Sequence, residues 1–126
     1  MVANMFLIQS LNLMFGISAI LGMNTDESLF KAEAQAARSE FHDKYVTPNG
    51  RLVSDTQATY ALAICLNILA PAQQIRAGIR LVELVRKNKF NIATGFAGTP
   101  YLREALTATG HIKVAYSMLL EKSCPS

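Results

Sequence analysis

"SDTQATYALAICLNIL", residues 54–69, is the stretch that decides the fold. From Thr56 to Leu69 it carries no charged side chain. Ser54 offers a helix N-cap, and Gln57, three residues on, completes a capping box. A charge-free run of this length, with no strand-like alternation, reads as a helix buried on most of its faces. Pro71 then opens another helix at a position that needs no amide hydrogen. That second helix, about 71–88, is amphipathic. Ile75, Ile79, Val82 and Val85 form its apolar stripe, and Arg76, Arg80, Glu83 and Lys87 lie outside it.

The same pair of helices recurs on both sides. Upstream, residues 4–21 are apolar nearly all round, with Gln9, Asn12 and Gly16 on a single stripe. Asn24 and Glu27 offer a capping box for an amphipathic helix over 25–45. Its apolar face is Phe30, Ala34, Ala37, Phe41 and Tyr45. "TPNG", 47–50, is a turn. Downstream, "NIATGFAGTPYL", 91–102, is a small, neutral loop leading to a helix that Thr99 caps and Pro100 opens. Gly110 ends or bends that helix. A last helix, 111–121, places Val114, Ala115, Met118 and Leu119 on one side. The chain is therefore all-α, a stack of helical hairpins. Two architectures fit: an open α-solenoid with repeats of about 40–47 residues, and a closed α/α ring of which three hairpins are half. Periodicity leaves both open.

Bulk properties exclude several functions. At 126 residues the chain is one domain or less, and 51% apolar content rules out disorder. A net charge of +3, with Lys and Arg scattered and not interleaved with aromatics, argues against nucleic acid. Cys65, in an apolar run, reads as a small buried hydrophobe, and Cys124 lies in a tail; the two make neither a disulfide framework nor a metal site. His42 and His111 have no partner at ligand spacing and read as solvated helix residues. The first 25 residues are uncharged, yet they lack the basic start of a signal peptide. Their apolar stretches are also shorter than the roughly 20 residues of a span, so no membrane is expected.

Two places hold candidate binding residues. The loop at 94–99 lacks the Gly-Lys-Ser/Thr of a phosphate loop and follows no strand. As a pocket lining it is more suitable. Its small residues let a ligand approach the backbone, and Phe96 and Tyr101 offer flat apolar faces of the kind sugars pack on. The second place is Asp55, read in the first turn of its helix where the dipole favours the ionised form, with Gln57 beside it as a further polar contact. Asp55 and Glu104 make a poor acid–base pair for glycoside hydrolysis, because a helix N-terminus is the wrong place for a raised pKa.

These blocks resemble a known family. Asp55-Thr56-Gln57, Ala61-Leu62, Thr94-Gly95-Phe96, Gly98-Thr99-Pro100-Tyr101-Leu102, Gly110-His111 and Cys124-Pro125-Ser126 follow the order and spacing of the α-L-rhamnosidase catalytic domain. That resemblance implies an (α/α)6 six-hairpin barrel, inverting hydrolysis of terminal α-L-rhamnosides, and no cofactor or metal. It selects the ring over the solenoid. It places Asp55, Gln57, Thr94, Gly95, Phe96, Thr99 and Tyr101 near a sugar pocket. The whole chain, 1–126, is then expected to be an internal part of that domain, about half the barrel. Neither catalytic carboxylate motif of the family is present, and there is no tryptophan; no catalytic residue is assigned, and the chain alone is expected to be inactive. The expected partners are a rhamnosylated carbohydrate in the parent enzyme and the remainder of the barrel, or a second copy. The cellular compartment is left open. The rival expectations are an α-helical repeat module that binds proteins and a non-catalytic remnant.

Overall fold

The computed structural model describes residues 1–122. It contains six helices: α1 (Val2–Ile20), α2 (Asn24–Tyr45), α3 (Gln57–Cys65), α4 (Pro71–Lys87), α5 (Gly95–Ala108) and α6 (Ile112–Leu119). They divide into two compact units, the first ending at Val46 and the second starting at Thr47. Cys124 lies outside the described residues.

In the first unit α1 and α2 pack along one another as a hairpin. α1 closes on Gly22, whose φ of +70° suits the left-handed turn residue. The Gly22 amide donates to the Ala19 carbonyl and the Met23 amide to the Ser18 carbonyl. This closure corrects the capping expectation. Met23 occupies the cap position of α2, Asn24 is already helical, and no side chain caps the start. The turn is too short to spare a residue for capping. The α2 face is as the spacing predicts, with Ala34 and Phe41 buried and Phe30, Ala37 and Tyr45 half-buried. The Phe41 and Tyr45 rings sit 5.1 Å apart. α1 differs from expectation. Only Met5, Ile8 and Ser18 are buried, while Leu7, Leu13, Met14, Ile17 and Ile20 are exposed. A single helical partner covers one stripe of a cylinder, and α1 is apolar on more than one. Among the described residues α1 is also the one helix long and apolar enough to cross a membrane.

The core of the second unit is α3. Gln57 and every residue from Thr59 to Ile64 are buried. α3 packs against α4 and, more extensively, against α5; α5 in turn carries α6. Its cap is Thr56, not Ser54, and the box partner is Thr59, not Gln57. The Thr59 amide donates to Thr56 Oγ1 (3.3 Å), and the Thr59 hydroxyl reaches back to the Ser54 carbonyl (2.6 Å). Gln57 is thereby released from capping.

Pro71 opens α4 as read from sequence, but the buried stripe is rotated. It comprises Ala77, Gly78, Leu81, Val82 and Val85, and leaves Ile75 and Ile79 66% and 50% exposed. The cause is a close crossing. A Cβ on Gly78 would sit 2.5 Å from Thr109 Cβ, so only the small-residue face of α4 fits there. α5 starts a full turn earlier than the Thr-Pro pair suggests, at Gly95, with Pro100 inside the helix. α6 buries Val114, Ala115 and Met118, while Leu119 is 66% exposed.

Candidate functional site

The early start of α5 shapes the region around the loop. After α4 the Lys89 and Phe90 amides donate to the Arg86 and Val85 carbonyls, a left-handed helix ending without a glycine. The chain then runs to Thr94, the N-cap of α5. Gln57, 4% exposed, holds this run to the start of α3. Its Nε2 donates to the Asn91 carbonyl (3.3 Å), and its Oε1 accepts from the Ala93 amide (3.0 Å). Asn88 Nδ2 donates to the same Asn91 carbonyl (3.0 Å). Gly98 closes the other end, where a Cβ would lie 2.9 Å from Ala58 Cβ and 3.0 Å from Ala58 Cα. Residues 91–99 thus form an arch fastened at both feet to α3.

Within the arch, Thr99 Oγ1 donates to the Gly95 carbonyl (2.7 Å). The Thr94 hydroxyl, 2.8 Å from Thr99 Oγ1, is therefore the donor of that pair. Thr94 is buried, and Gly95, with φ +63°, is exposed. Phe96 is 100% exposed, a phenyl ring standing clear of the protein on the first turn of a helix. Tyr101 is half-buried, and its carbonyl accepts a weak bond from Cys65 Sγ at 3.4 Å. Burial pushes the Cys65 thiol up to about 11, with a smaller push from Glu104.

Asp55 stands apart from this group in its bonding. It precedes the cap of α3 instead of lying in the first turn, and it is bound by Arg80 from α4. Arg80 Nε donates to Oδ1 (2.9 Å), one guanidinium amino group donates to Oδ2 (2.5 Å), and the other donates to Glu83 (2.6 Å). The guanidinium holds the Asp55 carboxyl below its ordinary value. Sequence reading missed this pair because the partners lie 25 residues apart. A small cavity of about 190 Å³ opens beside it, between Arg51, Tyr60, Arg76 and Arg80. Larger grooves of about 550 and 300 Å³ follow the contact of α5 with α6; Thr99 lines the smaller, Glu104 the larger, and Arg103 both. Among the described residues no three His, Cys, Asp or Glu side chains cluster as metal ligands would.

The described residues form all-α helical hairpins, and the outward side of the arch carries the Phe96 ring beside the exposed Gly95. Comparison with known proteins agrees. Residues 1–126 match the model of the bacterial alpha-L-rhamnosidase 6 hairpin glycosidase domain. The chain is 39% identical over 89 residues to an alpha-L-rhamnosidase of Streptomyces avermitilis, covering 71% of this chain and 9% of that protein. The crystal structure of a Streptomyces avermitilis alpha-L-rhamnosidase complexed with L-rhamnose superposes with a TM-score of 0.92 at 33% identity, covering 98% of this chain and 12% of that one. The native enzyme from Aspergillus terreus superposes with a TM-score of 0.91 at 29% identity, over 97% of this chain and 14% of that one. The chain belongs to the bacterial α-L-rhamnosidase six-hairpin glycosidase family. It spans between 9 and 14% of the length of these relatives. The match runs through α1, so that apolar helix is one of the hairpin helices of the domain. The open-solenoid alternative is set aside by the same match.

Proposed function

We propose that this chain supplies part of the sugar-binding wall of an α-L-rhamnosidase that hydrolyses terminal α-L-rhamnosides with inversion. The observation that carries the reading is the arch at 91–99, with Phe96 wholly exposed on a segment otherwise tied down by hydrogen bonds. An exposed phenyl on a rigid support is suited to the apolar face of a sugar ring, where C–H groups meet the negative face of the π-system. Gly95 and Thr99 would border that ring, the exposed Gly95 leaving room for a hydroxyl to reach the backbone, while the buried Thr94 would support them through its bond to Thr99. Tyr101 is a wall residue one turn further into α5. Asp55 offers hydroxyl acceptance only through lone pairs that Arg80 does not take.

The reading assigns no catalytic carboxylate to the chain. Inversion needs a protonated acid and an ionised base about 6.5–9.5 Å apart. Asp55 is held ionised by Arg80, which suits neither a proton donor nor a group free to activate water. Rhamnoside hydrolysis would therefore depend on carboxylates supplied by other parts of the parent enzyme.

The test is an amide-resolved NMR titration of the chain with L-rhamnose, beside an assay on a chromogenic α-L-rhamnoside. The expected result is fast-exchange shifts confined to Gly95–Tyr101 at millimolar sugar and no hydrolysis, with Phe96→Ala abolishing the shifts. Shifts absent from the arch, or unchanged by Phe96→Ala, would overturn the reading.

A further inference from the structure

We propose that Gln57 is a positioning residue: it sets the arch at 91–99, and with it Phe96, while making no contact with sugar itself. The inference rests on the sugar-wall reading for its functional meaning and on separate geometry for its structural content. Gln57 is only 4% exposed, which leaves no surface for a ligand. Both polar atoms of its carboxamide face the same run of backbone, one donating to Asn91 and the other accepting from Ala93. The geometry is that of a short strand rung made by a side chain. It spans 34–36 residues of sequence, from the first turn of α3 to the segment that enters α5. The Asn91 carbonyl is further held by Asn88, so both of its lone pairs are engaged. The Gly98–Ala58 approach pins the far foot. Between the two feet the Thr94–Thr99–Gly95 hydroxyl chain leaves little freedom. Releasing Gln57 frees the near foot and lets the first turn of α5 fray, because the first amides of a helix have no intrahelical partner.

Three variants separate positioning from packing. Gln57→Met keeps length and volume and loses both hydrogen bonds. Gln57→Glu accepts from Ala93 but, when ionised, sets a carboxylate against the Asn91 carbonyl. When protonated it donates to that carbonyl and restores the pair of bonds. Charged neighbours on the surrounding elements, Arg51 and Asp55 before α3, Arg80 and Glu83 on α4, Lys89 after it and Arg103 and Glu104 on α5, are common to both arms. The unmodified chain run over the same pH range removes their contribution.

Two quantities are read: hydrogen exchange at the Ala93 amide, and the dissociation constant for L-rhamnose by NMR. In Gln57→Met we expect Ala93 exchange to rise about 5- to 10-fold, the effect of losing one neutral hydrogen bond, and sugar affinity to fall by a similar factor. In Gln57→Glu both defects appear at pH 7 and recede as pH falls through the carboxylate range. Burial of the ionised carboxylate by itself loosens the whole unit. The recovery is therefore read relative to the unmodified chain. Recovery confined to the Ala93 amide marks positioning, and recovery shared by amides outside the arch marks a purely volumetric role. An unchanged Ala93 exchange rate in Gln57→Met overturns the inference whatever the sugar does. Loss of arch protection in Gln57→Met, with no rhamnose binding by the unmodified chain, overturns the sugar-wall reading and leaves the positioning of the arch by Gln57 established.

Discussion

Cys65 is half-buried on the inner helix of the second unit, and its thiol is raised to about 11 by burial. At pH 8 the reactive thiolate is then scarce. In a Cys124→Ser background, iodoacetamide should label Cys65 about a hundred-fold more slowly than an unhindered cysteine, and the rate should climb with pH towards that value. Rapid labelling at pH 7 would contradict the burial. Asp55 gives the opposite sign. Its folded pKa is depressed, so the Arg80 pair stabilises the fold above the unfolded value near ~3.9 and is lost as pH falls through the folded value. Both side chains are partly solvated, at 47% and 28% exposure. Asp55→Asn should therefore lower stability by less than about 1 kcal/mol at pH 7. Below both pKa values it should have no effect. Urea midpoints of both proteins, followed from pH 7 downward until the two converge, measure the difference.

At the scale of the elements, the glycines separate the tight crossings from the open ones. Gly98→Ala pushes a methyl group against the Ala58 backbone, and Gly78→Ala pushes one into Thr109. Each should cost about 1–3 kcal/mol in denaturant midpoint, as overpacking of a closed contact does. Gly16→Ala, in α1 with nothing within 4 Å, should instead stabilise by up to about 1 kcal/mol through helix propensity. The same crossings explain how far the elements were legible in the sequence. All six helices and their order follow from hydrophobic period and from Pro71 and Gly110, which act locally. The start of α2 differs because the turn after α1 leaves no residue for a side-chain cap, and the starts of α3 and α5 differ because several residues compete for each cap. Ser54, Thr56 and Thr59 stand within six positions, and the Thr99-Pro100 pair imitates a helix start while its hydroxyl satisfies a carbonyl one turn back. The face of α4 was misread because Gly78 faces Thr109, and nothing near Gly78 in sequence announces it. Of the candidate site, the residue types of the arch were legible; the Gln57 clamp and the Arg80 pair, built across 25–36 residues, were not.

For the molecule as a whole, the exposed apolar residues of α1 are the dominant feature. Leu7, Leu13, Met14, Ile17, Ile20 and Leu21 are each at least 43% exposed on a helix of mostly apolar residues. Apolar surface of this extent drives association in water. The chain should sediment as more than a monomer at tens of micromolar, with little relief from added salt, and Leu13→Lys with Ile17→Lys should reduce its mass towards 13.8 kDa. A monodisperse monomer with a cooperative, high-temperature melt would contradict this expectation.

The short α3 has one more consequence, for synthesis on the ribosome. Nine residues are too few to hold a helix in water, and α3 is stabilised chiefly by α5, whose first residue is 30 positions beyond its last. Its strongest partner is therefore made only after the whole of α4. Until Leu106 clears the exit tunnel, the most apolar segment of the second unit has only α4 to lie against. A nascent chain halted after α4 would present residues 56–69 to chaperones and proteases, and one extended past α5 would hide them. The order of translation, from the N-terminus onward, leaves the core of this unit half-covered until α5 is made.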